Sequence, residues 1–270
     1  MRRTGVKGSK PILIIGAGRM GTALIKGWLA NDLSPIIAVE PKPSPGLKKL
    51  RGLTLVASLD KIGAGKPRAC VVAIKPQILK SEASTLRAIA EGGAVMISIA
   101  AGTRVKSLSA AWGSKAKIVR AMPNTPGAIG RGITGLYAAK GVTAGDKKLA
   151  DNLLAALGKT VWVKSEALID AVTAVSGSGP AYVFHLVEAL TEAGIKAGLD
   201  AKLAGQLARA TVAGAGALLD ADKSEAAELR IAVTSPGGTT EAALKILMAE
   251  LPGLMTRAVA AAKKRAEELG

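Results

Sequence analysis

The run Ile12-Leu13-Ile14-Ile15 leads directly into Gly16-Ala17-Gly18-Arg19-Met20-Gly21, and that junction constrains the fold more than any other stretch. Four consecutive apolar residues read as a parallel strand covered on both faces, and Thr22 to Leu29 continue at helical spacing. The glycines therefore sit between a strand and a helix. Gly16 permits the sharp turn, Gly18 leaves bare backbone for a phosphate, and Gly21 lets the helix lie close to the strand. The helix start presents unpaired N–H groups and a partial positive charge to an anion. A dinucleotide site built from Gly16, Gly18, Arg19, Met20 and Gly21 is the expectation. Glu40 ends the next apolar run, Ile36 to Val39. A carboxylate there accepts hydrogen bonds from a ribose 2′-hydroxyl and repels a 2′-phosphate, which favours NADH over NADPH. Lys42 is the counterweight, because it can turn toward a 2′-phosphate if Glu40 swings out.

Beyond the first turn, β-rich runs at 12–15, 36–39, 53–57, 69–74, 94–99, 117–121, 133–138 and 160–163 alternate with helical patterns, which indicates a doubly wound parallel sheet. From Ser165 the character changes to alanine- and leucine-rich helical segments, at 166–174, 180–196, 200–218, 223–232, 239–249 and 254–268. The expected fold class is α/β, with a Rossmann-type doubly wound sheet followed by an all-helical domain. A basic tail over 1–10, a nucleotide-binding domain over 11–164 and a helical domain over 165–270 are the expected divisions. The second half is thin in bulky side chains, as in Ala213-Gly214-Ala215-Gly216-Ala217, and is expected to complete its core against a second subunit.

Charge and composition test other classes. A formal charge of +17 suits a polyanion partner, but the basic residues are scattered and aromatic residues make up only 2% of the chain. Stacking platforms for nucleic acid are nearly absent, and no helix-turn-helix or zinc-finger spacing occurs. No nucleic-acid partner is expected. The same charge serves solubility and attracts an anionic cofactor and a carboxylate substrate. No apolar stretch reaches membrane-spanning length, the basic start lacks the rest of an export signal, and no membrane partner is expected. Cys70, the single cysteine, falls in the apolar run 69–74, which reads as a buried strand in a cytoplasmic protein. No grouping of His, Cys and acidic residues has metal-ligand spacing, so no metal is expected. His185, the single histidine, reads as a core or interface residue.

Three further stretches carry more glycine, proline and small hydroxyl residues than folding requires. Arg120-Ala121-Met122-Pro123-Asn124-Thr125-Pro126 follows an apolar run, at the sheet edge where open α/β folds bind ligands. Asn124 and Thr125 suit cofactor contact, and a rigid turn capped by Asn124 fits them equally. Ser176-Gly177-Ser178-Gly179-Pro180 is a good helix start whose peptide groups also suit a ligand wall. Ser235-Pro236-Gly237-Gly238-Thr239-Thr240 opens another helix. The N–H groups of Gly238, Thr239 and Thr240 are expected to face outward without intrahelical acceptors, which suits a carboxylate or a plain capped helix.

Taken together, these motifs resemble the Δ1-pyrroline-5-carboxylate reductase family along nearly the whole chain after the basic tail. The matching pieces are 15–21, Ala73-Ile74-Lys75-Pro76-Gln77, Ser98-Ile99-Ala100-Ala101-Gly102, 120–126, 170–184 and 234–240. The resemblance implies reduction of a cyclic imine to L-proline by NADH or NADPH, in a homodimer that in many members assembles into a decamer. It implies that Ser235, Gly238 and Thr239 hold the substrate carboxylate, the last two through backbone N–H groups. Thr240 then lies beside the ring nitrogen as the catalytic hydroxyl, Lys75 and Pro76 border the nicotinamide ribose, and Asn124 and Thr125 contact the cofactor. The loop is expected to reach a neighbouring subunit's site.

Departures from the family pattern also carry expectations. Glu40 stands where members preferring NADPH tend to carry serine, threonine or asparagine, which leans the cofactor toward NADH. Glu241 replaces a commonly apolar residue, and Leu251-Pro252-Gly253-Leu254 lacks the usual Gly-Phe-Arg. Both are expected to affect helix packing and not the site. Two other readings remain: a β-hydroxyacid-type dehydrogenase, which needs a base in the helical half that is not found, and a nucleotide- or nucleic-acid-binding protein without turnover.

Overall fold

The apolar runs form one eight-stranded sheet, with β1 Ile12–Ile15, β2 Ile36–Val39, β3 Leu53–Val56, β4 Ala69–Val72, β5 Val95–Ser98, β6 Lys117–Met122, β7 Gly132–Ala138 and β8 Gly158–Trp162. A computed structural model describes residues 10–63, 66–74, 78–79 and 83–270. The order across the sheet is β3-β2-β1-β4-β5-β6-β7-β8. Strand order reverses between β1 and β4, so the glycine turn after β1 lies at the crevice where such sheets take their ligands. All neighbouring strands are parallel except β6 and β7, where Val119 faces Ala138 in antiparallel register. Only residues 123–131 join that pair, too few for the crossover that a parallel pair needs.

Side chains of β1 alternate between two cores. Ile12 and Ile14 pack on one face with Leu24, Ile25 and Trp28 of helix α1, Arg19–Ala30. Leu13 and Ile15 pack on the other with Leu86, Trp112 and the buried Cys70. Both faces of the strand are thus covered, which explains the unbroken apolar run. Trp28 is completely buried and its indole N–H donates to Leu153 O at 2.7 Å. Burial pushes the Cys70 thiol up from its ordinary value.

The chain divides into two compact units, Met1–Gly177 with Lys263–Gly270, and Ser178–Ala262. The first holds the sheet together with α2 Pro45–Lys48, α3 Ala83–Glu91, α4 Val105–Trp112, α5 Ala144–Leu154 and α6 Leu168–Val172, the last continuing into a π-helical turn, Thr173–Gly177. The final residues belong to this unit, and a Cβ on Gly102 would lie 2.9 Å from the Leu269 carbonyl oxygen.

The second unit is helical, with α7 Gly179–Lys196, α8 Ala201–Ala221, α9 Ala226–Ala232 and most of α10, Thr239–Leu269. Small residues bring α7 and α8 together: a Cβ on Gly194 would lie 3.3 Å from that of Ala204. Ala204 and Ala208 are buried in α8, whereas α7, α9 and α10 bury no residue within the chain. Phe184, Leu186, Leu207, Ile246, Leu247 and Leu254 are exposed, an apolar surface of the kind that a partner covers. Among the described residues no helix is long and apolar enough to cross a membrane.

Two expectations need correction. Segments 239–249 and 254–268 form one helix, with Pro252 inside it. Proline removes one N–H and strains one turn, which bends a helix without having to end it, and the alanine- and lysine-rich residues after it propagate the helix well. For His185, expected in a core or an interface, only the core half is overturned: its ring is exposed within this chain and Nδ1 lies 2.9 Å from Glu188 Oε2, one turn along α7.

Candidate active site

At the end of β1 the chain turns through Gly16 at φ +90°, a conformation that side chains rarely adopt. A Cβ there would lie 2.7 Å from the Ala73 carbonyl oxygen, and one on Gly21 would overlap the carbonyl oxygen of Gly16. Around the Cβ position of Gly18 there is only open space. These glycines thus do different work: Gly16 and Gly21 close the turn on itself, and Gly18 opens it to a ligand.

The open space is the floor of a cleft of about 580 Å³ lined by Ala17, Gly18, Arg19, Lys26, Glu40 and Lys42, with Thr22, Ala23, Ser44 and Ala128 completing the wall. Three cations and the N-terminus of α1 around one cleft favour a polyanionic ligand. Both Glu40 oxygens are engaged: Oε2 accepts the Ala17 N–H at 2.9 Å and Oε1 accepts the Lys42 N–H at 3.0 Å. The carboxylate is therefore held in place, and each oxygen keeps a second lone pair for a hydroxyl donor. Swinging it out to admit Lys42 breaks two hydrogen bonds. Bare backbone at Gly18, a helix start and an anchored acceptor at the far wall fit a dinucleotide.

Met20 packs its side chain on the core, so only its backbone belongs to the turn. Lys75 and Pro76 lie outside the described residues. Lys26 and Thr22 were not among the expected site residues, although their spacing from Arg19 places all three on one helix face.

The loop after β6 borders the same cleft through Ala128, which belongs to the 3₁₀ turn Thr125–Ile129. Asn124 does not cap this turn with its side chain. Its Oδ1 instead accepts the Ile133 N–H at 3.0 Å, tying the loop to the start of β7, while Thr125 is exposed. Met122 closes onto the second motif, since a Cβ on Gly177 would lie 2.8 Å from Met122 Cε. Hydroxyls of Thr173 and Ser176 donate to Ile169 O and Val172 O at 2.7 and 3.0 Å within the π-helical turn. Ser178 occupies the cap position of α7 without a side-chain bond, and Pro180 stands in the first turn.

Beneath these loops lies a charge cluster that the sequence reading passed over. Arg120, 3% exposed in β6, places Nη1 3.1 Å from Glu166 Oε1 and Nη2 3.8 Å from Asp170 Oδ1. Arg104 Nη1 is 2.8 Å from Asp170 Oδ2, and Glu166 Oε1 also accepts the Val105 N–H at 2.7 Å. Burial pulls the Arg120 guanidinium down from its ordinary value, and the Glu166 charge and hydrogen bond oppose that. The cluster fixes α6, and with it the π-helical turn, to the strand that ends in the Met-Pro-Asn-Thr-Pro loop. An arginine interrupting the apolar run from Ile118 to Met122 was the available signal.

In the second unit, Ser235 to Thr240 form the predicted turn into α10. Gly237 takes φ +69° and the Gly238 N–H donates to Ser235 O at 3.0 Å, so this amide is not wholly free as expected. The amides of Thr239 and Thr240 have no carbonyl within their own helix to bond. Glu241, expected to bear only on packing, reaches the loop: its Oε2 accepts the Gly237 N–H at 2.7 Å. It also lines a hollow of about 280 Å³ with Arg230, Thr234 and Lys245.

Comparison with known proteins accounts for both halves. A family model described as pyrroline-5-carboxylate reductase dimerisation matches residues 166–269, and one described as NADP oxidoreductase, coenzyme F420-dependent, matches 11–102. The pyrroline-5-carboxylate reductase of Pseudomonas aeruginosa is 39% identical, over 96% of each chain. That of Pisum sativum is 34% identical over 94% of each. Among solved structures, a pyrroline-5-carboxylate reductase from Coxiella burnetii superposes with a TM-score of 0.91 at 36% identity, covering 97% of this chain and 99% of that one. A Plasmodium falciparum pyrroline carboxylate reductase solved with NADP bound gives 0.79 at 28% identity, covering 97% and 98%. With identities above 30% sustained across almost the full length of both partners, this chain belongs to the pyrroline-5-carboxylate reductase family.

Proposed function

We propose that this protein reduces 1-pyrroline-5-carboxylate to L-proline with a reduced nicotinamide dinucleotide, the last step of proline biosynthesis. What carries this reading is the full-length likeness to proteins of that name, together with two helix starts, at Gly18 and Gly238, each arranged to receive an anion. Glu40, anchored on the Ala17 and Lys42 amides, leans the cofactor toward NADH.

The chemistry asks little of the protein's side chains. An imine protonated on nitrogen is already electrophilic at carbon, and a bound nicotinamide supplies the hydride. Gly16, Gly18, Arg19, the Met20 backbone and Gly21 grip the pyrophosphate, and Glu40 receives the ribose hydroxyl. Asn124 and Thr125 border the reactive end, and the family likeness assigns Lys75 and Pro76 the same role. Ser235, Gly238 and Thr239 hold the substrate carboxylate, Gly238 sharing an amide already bonded to Ser235 O. Thr240 donates or accepts one hydrogen bond at the ring nitrogen, orienting the imine so that its carbon is presented at near-attack distance.

The helical unit pairs with a second copy through the apolar faces of α7, α8 and α10, and such pairs assemble further, up to a decamer. The protein works in the cytoplasm, consistent with a single buried thiol. The deciding experiment measures kcat/KM with the imine and each reduced cofactor side by side, with the assembly sized in the same buffer. Turnover with a higher value for NADH is expected. No oxidation of either cofactor by correctly assembled protein overturns the assignment.

A further inference from the structure

The loop that opens α10 contains a bond that the glycine pattern does not require. Gly237 sits in the left-handed region at φ +69°, and its N–H is taken by Glu241 Oε2 at 2.7 Å. One residue on, the Gly238 N–H is taken by Ser235 O at 3.0 Å. The backbone from Ser235 to Gly238 is therefore tied twice, once by a side chain from the first turn of the helix. A glutamate at this helix position commonly reaches back to the cap residue's own amide. Glu241 reaches one residue further, to the αL glycine. Arg230 and Lys245 line the same hollow as Glu241, yet its carboxylate bonds the loop.

We infer that Glu241 is a positioning residue for the substrate carboxylate: by holding Gly237 it fixes the turn that presents Ser235 and the amides of Gly238 and Thr239 together. This rests on reading 235–240 as the carboxylate grip. Glu241 acts in two opposed ways. Its hydrogen bond orders the loop in advance, so less ordering is left to substrate binding. Its charge, in the first helical turn, weakens the positive end of the helix for an incoming anion. The hydrogen bond to Gly237 is thus its favourable contribution and the charge its drawback.

Glu241→Ala and Glu241→Gln separate the two effects, assayed in the full assembly with the imine and both reduced cofactors. Glu241→Ala is expected to raise KM for the imine about tenfold, with kcat and the cofactor KM within about twofold of the parent. Glu241→Gln keeps an acceptor oxygen and loses the charge, so it restores KM to the parent value or below. If Glu241→Ala does not assemble, Glu241→Asp, one methylene short of Gly237, is expected to show the same rise in KM. An unchanged KM in the truncated variant overturns the inference, and so does Glu241→Gln matching Glu241→Ala. A fall in Tm with kcat and both KM values moving together assigns Glu241 a purely structural role and also overturns it. If the unaltered protein reduces no imine, the functional reading falls and takes this inference with it. Full activity with an insensitive Glu241→Ala removes the inference alone.

Discussion

Glu40 Oε2 accepts the Ala17 N–H at 2.9 Å, so the acidic end of the second strand is bonded into the glycine turn that follows the first. On the proposed reading, the carboxylate that selects between cofactors also shapes the floor that both must use. Glu40→Ser is expected to lower the kcat/KM ratio of NADH to NADPH by about tenfold. Because the Ala17 amide loses its acceptor, KM should rise for both cofactors. A ratio equal to that of the parent protein would remove Glu40 from the selection of the cofactor.

Gly18 and Gly21 are three residues apart and should respond oppositely to alanine. A Cβ on Gly21 collides with the Gly16 carbonyl, which the turn cannot move without leaving φ +90°. Gly21→Ala is expected to destabilise the fold by about 2 to 4 kcal/mol. Gly18→Ala meets open space, so Tm should stay within a few degrees while cofactor affinity falls about tenfold or more. Thermal melts beside cofactor titrations check the pair. Equal melting points for the two variants would contradict this division of labour.

All eight strands and the change to helix after the sheet were legible: burial on both faces imprints unbroken apolar runs on inner strands such as Ile12 to Ile15, while the edge strands β3 and β8, which bury no residue, show through their β-branched residues. The glycine turn was legible for a different reason, since its backbone demands leave few residue choices, and Glu40 because it ends an apolar run with a charge. Long-range polar partnerships were not. Nothing in sequence spacing tells that Asn124 spends its oxygen on Ile133, or that Glu241 turns back to Gly237. Pro252 misled because proline shows its cost locally, whereas the helix around it is held over eight turns.

The ion-pair cluster under the loops should dominate the stability of the sheet's far end. Arg120 and Asp170 are both nearly inaccessible, and Asp170 Oδ1 has no hydrogen-bond partner among the described residues. Arg120→Met leaves Glu166 without a cation and Asp170 with Arg104 alone, at an expected cost of about 3 to 5 kcal/mol. Adding Glu166→Gln to that variant should recover part of the loss, since the carboxylate left without a cation then disappears while Asp170 keeps Arg104 at 2.8 Å. Denaturant unfolding of the single and double variants gives the comparison. Strictly additive losses would mean that the two residues do not act as a pair.

Asp146 gives the chain a stability dependence on acid. It receives the Thr143 N–H at 2.9 Å and the Thr143 hydroxyl at 2.7 Å, capping α5, and Lys117 Nζ lies 3.2 Å away. Burial pushes its pKa up, but the Thr143 and Lys117 hydrogen bonds outweigh it and hold the group below the ordinary 3.8. A lowered folded-state pKa means the stabilisation is complete above 3.8 and is lost as pH falls through the lower folded value. Asp146→Asn should cost about 1 kcal/mol at neutral pH. The gap to the parent protein should close in melts run progressively below pH 3.8. A gap that persists unchanged into strong acid would show that ionisation of Asp146 is not its source.

Thr240 is the side chain on which turnover should depend most directly. It stands in the first turn of α10, after a loop whose backbone is fixed at Gly237 and Gly238, so its hydroxyl is carried on a rigid start and not on a mobile segment. If that hydroxyl holds the ring nitrogen, Thr240→Ala removes one hydrogen bond that strengthens as charge shifts onto nitrogen, and kcat should fall about tenfold to a hundredfold. Cofactor affinity should be nearly unchanged, because the proposed grip on the dinucleotide lies in residues 16–21 and at Glu40. Thr240→Ser keeps the hydroxyl and should recover most of the rate, whereas Thr240→Val keeps the shape and should not. Steady-state kinetics with the imine varied at saturating cofactor read this out. Parent-like kcat in the alanine variant would transfer the proton-handling role to solvent and leave Thr240 as a helix-start residue only.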